Sequence, residues 1–226
     1  MRSYDQFCAL ARALDVVGDR WTLLVVRELF ARDSRYSDLR DALPGIATNL
    51  LAERLRQLQE AGVIEAYAAP SPVRATVYRL TARGRDLRPA MRALVAWGLP
   101  LMATGQGADA FRTQWLVMAV RILFDGVDVA DLAPLTVLVE VGDEPATIEV
   151  SREGLGMELG GPASEAQVEV AGEPEEVFEF LTGTPDARTD GLRVRGSREA
   201  VRRLRTLTTR SPLAETRSHS RGQHRV

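Results

Sequence analysis

Residues 45–84 read GIATNLLAERLRQLQEAGVIEAYAAPSPVRATVYRLTARG. Within them Leu51, Leu55 and Leu58 recur at spacings of four and three, which places them on one stripe of a helix running from about Thr48 to Ala61. Ala52, Glu53 and Arg56 then point elsewhere, together with the first-turn residues Thr48 and Asn49. Gly62 closes the helix. Val63–Ala68 and Ala75–Leu80 read as two strands, and Pro70-Ser71-Pro72 marks the loop between them. A helix with a polar start, followed by two strands joined through a Pro- and Arg-containing loop, is the order of parts in a winged helix-turn-helix. That arrangement lays one helix in the major groove of DNA and a β-wing beside it.

The flanking sequence fits such a unit. Phe7, Leu10, Leu14 and Val17 share one face of a helix expected over Gln6–Val17, and Gly18 fits its stop. Asp19 fits the cap of a second helix, Arg20–Ala31, which turns Trp21, Leu24, Val25 and Leu29 toward a core. A short helix is expected at Tyr36–Ala42, broken by Pro44-Gly45. Thr81 caps a long helix expected over Ala82–Leu99, with Leu87, Met91, Leu94 and Val95 apolar. Gly105-Gln106-Gly107 reads as a linker.

Beyond the linker the pattern changes. A helix at Phe111–Phe124 is followed by strands at Thr136–Val141, Ala146–Val150, Leu155–Leu159 and Gln167–Val170. A helix at Pro174–Leu181, a strand at Leu192–Arg195 and a helix at Arg198–Leu207 complete the block. Strands and helices in that order suggest an α+β layer domain. From Ser211 the chain is polar and aperiodic, and residues 211–226 read as a disordered tail. The expected fold class is therefore α+β in two parts, residues 1–104 and residues 109–208.

Charge separates the same parts. Residues 1–104 hold 15 Arg against 11 acidic residues, whereas residues 105–186 hold 3 Arg against 17. Residues 187–226 return to 11 Arg against 3 acids, so the net charge of −2 hides two units with different electrostatic surfaces. No apolar run approaches the roughly 18 residues of a membrane span, and the N-terminus lacks the apolar core of a signal peptide. Together with a single cysteine, Cys8, which excludes an internal disulfide, this points to a cytoplasmic protein without a membrane partner.

The candidate site residues follow from the helix and the wing. Thr48 and Asn49 lie at the exposed start of the recognition helix, where Asn pairs with adenine through two hydrogen bonds. Arg54 and Arg56 reach phosphate or guanine according to how the helix is rolled in the groove, and Glu53 pairs with Arg56 or with cytosine. Arg74, at the tip of the wing, grips phosphate or enters the minor groove. In the second part, Trp115, Met118, Ile122, Val177, Phe178, Phe180 and Leu181 are what any α+β core would contain.

The strings CALARALDVVGDRWTLLVVREL, YSDLRDALPGI, NLLAERLRQLQEAGVI and TVYRLTARG resemble the HxlR-type family of winged-helix transcriptional regulators, over residues 8 to about 98. The resemblance implies double-stranded DNA as partner and a homodimer formed through the N-terminal and last helices, around Phe7–Leu14 and Met91–Trp97. A two-fold dimer reads a roughly palindromic operator and represses by occluding a promoter. Some relatives use an N-terminal cysteine as a redox sensor, which makes Cys8 a candidate; here Ala9 replaces the usual following Pro, and a small core residue is the plainer reading. The strings AQVEVAGEP, PEEVFEFLTG and DGLRVRGSREAVRRL resemble the sterol-carrier-protein-2-like fold. That resemblance implies an apolar tunnel, with Trp115, Met118, Ile122, Val177, Phe178, Phe180 and Leu181 as its candidate walls, and a small apolar ligand in it that modulates DNA binding.

No enzyme is indicated. The only histidines, His219 and His224, lie in the tail, the chain has no lysine for a phosphate loop, and one cysteine builds no zinc site, so no cofactor or metal is expected. The alternatives to a ligand-modulated repressor are a lipid or small-molecule carrier that dimerises through its winged helix, and a thiol-switched regulator.

Overall fold

The computed structural model describes residues 3–69, 75–102, 107–161, 165–183 and 190–212. The chain divides into two compact units, Met1–Met91 and Arg92–Val226, each with its own apolar core.

The first unit contains α1 (Ala9–Val17), α2 (Thr22–Ala31), β1 (Ser34–Arg35), α3 (Tyr36–Ala42), α4 (Thr48–Glu60), β2 (Ile64–Ala68), β3 (Thr76–Leu80) and α5 (Ala82–Arg85). Its core gathers Val25, Val26 and Leu29 of α2, Leu39 of α3, Leu51, Leu55 and Leu58 of α4, and Ile64 and Leu80 of the strands. The leucine stripe of α4 is thus buried as its spacing predicts. β2 and β3 pair antiparallel from Ile64 opposite Leu80 to Ala68 opposite Thr76. The two-residue strand β1 adds to the other side of β3, giving the order β1-β3-β2; a strand that short carries no alternation to be read from sequence.

Two local expectations are corrected. Asp19 does not cap α2: Trp21 occupies the cap position with φ 79°, in the left-handed region. The long helix expected over Ala82–Leu99 is two helices, α5 and α6 (Arg88–Gly98). Pro89 is the cause. It has no N–H for a bond to the preceding turn, so it is accommodated only in the first turn of a new helix. Thr81 does cap α5, its Oγ1 accepting the Gly84 N–H at 3.1 Å. The same hydroxyl donates to the Gly62 carbonyl at 2.7 Å, which fastens the end of β3 to the turn after α4.

The second unit contains α7 (Thr113–Leu123), β4 (Leu135–Glu140), β5 (Ala146–Ser151), β6 (Gly154–Leu159), β7 (Val168–Ala171), α8 (Pro174–Thr182), β8 (Arg193–Gly196) and α9 (Arg198–Thr209). Its five strands are ordered β6-β5-β4-β7-β8, with β4 and β7 parallel and the other neighbours antiparallel. The register aligns Val137 with Ile148 and Val168, and Val139 with Ala146 and Val170, so one face of the sheet is apolar. Leu116, Val120 and Leu123 of α7, Val177 and Leu181 of α8, and Leu204 and Leu207 of α9 share a core with that face. Thr136, Glu149 and Glu169 alternate to the other side. Ser211, assigned to the tail from sequence, is buried; residues 213–226 lie outside the described residues.

Gly84 marks the tightest joint of the first unit, because a Cβ there would stand 2.2 Å from the Val63 carbonyl oxygen. Gly84→Ala is expected to destabilise the first unit by about 1–3 kcal/mol through overpacking. Gly98→Ala, where a Cβ meets nothing within 4 Å, is expected to stay within about 0.5 kcal/mol of wild type. Denaturant titration of the full chain, followed by circular dichroism, compares the two.

Candidate nucleic-acid interface

α3, the 43–47 turn and α4 form a helix-turn-helix. Gly45 takes φ 90°, which only a glycine adopts cheaply, and so reverses the chain between the helices. Tyr36, at the start of α3, donates its hydroxyl to the Thr48 carbonyl oxygen at 2.6 Å and fixes where α4 begins. From sequence Tyr36 was placed only near the start of this helix; its bond to α4 is a tertiary contact that leaves no pattern in the sequence.

With Leu51, Leu55 and Leu58 buried, α4 leaves Thr48, Asn49, Ala52 and Arg56 exposed. The Asn49 Oδ1 accepts the Leu50 N–H at 2.9 Å. Arg56 is held by two carboxylates on its own helix, Glu53 at 2.7 Å and Glu60 one turn on. These hydrogen bonds, Glu53 first, push the Arg56 pKa up, and the bond from Arg56 draws the Glu53 carboxyl below its ordinary value. Arg54 is placed differently. Its side chain is only 13% exposed and its Nη1 lies 2.5 Å from Asp19 Oδ2, in the corner between α1 and α2. Thr48, Asn49, Glu53 and Arg56 thus share the outer side of α4, whereas Arg54 is turned toward the body of the unit.

The wing is fixed at its base. Glu65 and Arg79 face each other across β2 and β3, with Arg79 Nε 2.8 Å from Glu65 Oε1. The Arg79 guanidinium also lies 4.9 Å from the centre of the Tyr67 ring. Tyr67 donates its hydroxyl to Asp33 Oδ2 at 2.9 Å. Arg74 and the rest of the tip, 70–74, lie outside the described residues. Arg35, on β1 and one residue before α3, is exposed beside this sheet. It was missed because the strand that carries it was missed.

The other candidates divide. Cys8 is exposed just ahead of α1, so it is not the core residue that the plainer reading made it. Phe7, Leu10 and Leu14 are exposed, as are Leu94 and Trp97 on α6. In the second unit Leu181 is buried in the main core and Phe178 packs against it. Met118 and Ile122 are buried on α7 outside that core, and Trp115 is half-buried. A cavity of about 510 Å³ does open at the carboxyl ends of β4 and β7, but Glu140, Asp143, Glu144, Glu173 and Glu176 are among its lining residues and none of the five apolar candidates is.

The sequence model of the HxlR-like helix-turn-helix family matches residues 16–105. A helix-turn-helix transcriptional regulator of Synechocystis sp. is 40% identical over 87 residues, 38% of this chain and 64% of that protein. YvaP, a helix-turn-helix transcriptional regulator of Bacillus subtilis, is 34% identical over 87 residues, 38% of this chain and 80% of that protein. A solved MarR-family transcriptional regulator from Porphyromonas gingivalis W83 is 26% identical, with a TM-score of 0.40, covering 44% of this chain and 97% of its own. The chain spans between 56% and 64% of the length of several of the curated relatives it matches.

The wing base carries a measurable titration. The bond to Asp33 raises the Tyr67 pKa above the ordinary phenol value of 10.0. A raised value means that this bond persists below the ordinary phenol range and is lost only as pH rises through the elevated one. Asp33→Asn is expected to bring the Tyr67 titration back toward the ordinary value, read by NMR of ring-labelled tyrosine. An unchanged Tyr67 titration in that variant would remove the wing-base bond.

Proposed function

The chain belongs to the HxlR-like helix-turn-helix family, and from that premise we propose that it is a homodimeric, DNA-binding transcriptional repressor that lays α4 in the major groove of its operator. The observation that carries this reading is the outer side of α4, where Thr48, Asn49, Ala52 and Arg56 are exposed next to a three-stranded wing. Thr48 and Asn49 read base edges, Arg56 and the wing residue Arg74 hold phosphate, and Glu53 orients Arg56. Exposed Phe7, Leu10 and Leu14 near one end of the unit, and Leu94 and Trp97 on α6, support a dimer in which a second copy covers them.

The second unit, in this proposal, is a sterol-carrier-like sensor domain. Its support is the element order helix, strands, helix, strand, helix, with the helices on one face of the sheet. A small apolar ligand would bind near Met118, Ile122, Phe178, Leu181 and Trp115 and shift the DNA affinity of the dimer. Exposed Cys8 keeps a thiol signal as the other route, separated from the first by whether Cys8→Ser still releases DNA under oxidant.

A gel-shift titration against duplexes selected from a random pool, at two salt concentrations, tests the proposal. Arg56→Ala is expected to weaken every duplex alike and to lower the salt slope by about one. Asn49→Ala is expected to cost about 1–3 kcal/mol on the preferred duplex and to relax its base preference. Trp97→Glu is expected to shift sedimentation toward monomer and to lose most operator affinity. Weak binding, erased by salt and alike in all proteins, would leave the carrier reading, to be pursued by lipid-extraction mass spectrometry.

A further inference from the structure

Resting on the reading that α4 enters DNA, we propose that Asp19 and Arg54 form the tie that sets the roll of α4, and that Arg54 is a positioning residue rather than a DNA contact. The leucine stripe decides which side of α4 faces the core. Apolar contacts are non-directional, however, and leave a helix free to roll and slide by small amounts. A polar contact with fixed geometry is what removes that freedom.

Arg54 supplies it. Its Nη1 reaches Asp19 Oδ2 and Gln57 Oε1, both at 2.5 Å, and its Nε is buried without a hydrogen-bond partner. A guanidinium in that position is committed to the protein, because turning it outward to phosphate would surrender both bonds. The Asp19 side chain is 59% exposed, but its backbone is constrained on both sides. It follows Gly18, where a Cβ would meet the Leu14 carbonyl oxygen at 2.5 Å, and stands two residues before Trp21, held at φ 79° with its ring packed on the core. The Arg20 guanidinium lies 5.6 Å from the centre of that ring.

The tie also extends outward. Gln57 donates to Glu53 Oε1 at 2.7 Å, and Glu53 holds Arg56. A continuous polar chain therefore runs Asp19–Arg54–Gln57–Glu53–Arg56 across the helix, from its inner flank to its exposed side. Loss of the inner end removes the restraint on Gln57, then on Glu53, and so on the direction in which Arg56 is presented.

Direct contact and positioning predict opposite signs for Asp19. If Arg54 touched DNA, Asp19→Asn would free it and remove a repelling charge, and binding would tighten. If the pair is a tie, Asp19→Asn and Arg54→Ala each lower the ratio of specific to non-specific binding, by about tenfold. The double variant is then no worse than either single one, Arg54→Lys recovers part of the loss, and the salt slope stays that of wild type. The measurement is a gel-shift titration of the four-protein cycle and Arg54→Lys on selected and scrambled duplexes. A thermal-unfolding cycle on the same proteins reads the coupling of the pair without DNA. Tighter binding by Asp19→Asn, or additive losses in the double variant, overturns the proposal. Coupled unfolding without sequence preference in the wild-type protein overturns the DNA reading and with it the positioning role, while the tie itself stands as structural. Uncoupled unfolding beside intact specific binding overturns the tie alone.

Discussion

The seating of Leu51, Leu55 and Leu58 against α2 and α3 is the constraint from which the rest of the first unit follows. Each buried leucine contributes about 1.5–3 kcal/mol of transfer free energy, and together they decide which residues of α4 remain in water. Once α4 is seated, Gly62 ends it and Thr81 returns β3 to that same turn. Gly84 then brings α5 against the Val63 carbonyl, at a separation no other residue would allow. The wing is therefore not an appendage. Its base is bonded to the end of the recognition helix, and its outer edge to the loop before β1 through Tyr67 and Asp33.

Much of this was legible because burial on one side leaves a period in the sequence. The α4 stripe and the order of elements in the second unit rest on that signal, while the end of α3 was marked by the Pro44-Gly45 break. What was not legible has particular causes. Pro89 was visible but was overridden by the apolar periodicity on either side of it, and one helix was expected where there are two. β1 has two residues and no period at all. Arg54 and Arg56 were grouped by charge, although at about 100° per residue Arg54 lies roughly 60° from Leu51 and Arg56 roughly 140°. A wheel drawn on the leucines would have separated the half-buried arginine from the exposed one. Cys8 was placed by apolarity in a core; it is exposed because α1 begins only at Ala9 and buries little beyond Ala11.

The second unit illustrates a different limit. An apolar residue on a helix facing a sheet is compatible with a tunnel wall and with a filled core, and sequence does not choose between them. Here Leu181 and Phe178 belong to a core that also holds strand residues Val137, Val139 and Ile148. The open cavity instead lies where the parallel strands β4 and β7 end, and it is lined by carboxylates. Acidic residues concentrated in 105–186 make that unit a poor competitor for phosphate. With only 15 Arg against 11 acidic residues over residues 1–104, the proposed binding of DNA would depend more on how a few side chains are aimed than on bulk charge.

That requirement gives the ion pairs of α4 a meaning that stability does not. Exposed pairs such as Arg56 with Glu53 and Glu60 are screened by water and add little stability, too little to explain a network that engages Glu53, Arg54, Arg56, Gln57 and Glu60 on one helix. An unrestrained arginine samples many rotamers, and ordering it at a groove costs up to about 2 kcal/mol of side-chain entropy at the moment of binding. Carboxylates that hold Arg56 on the free protein move part of that cost into folding. They also require the cation to exchange one anionic partner for another, so the energetic return is small at a generic phosphate and larger only where the rest of α4 fits. On the proposed role of α4, a restrained, partly neutralised arginine thus sacrifices affinity for discrimination, the balance that a weakly charged DNA reader would need.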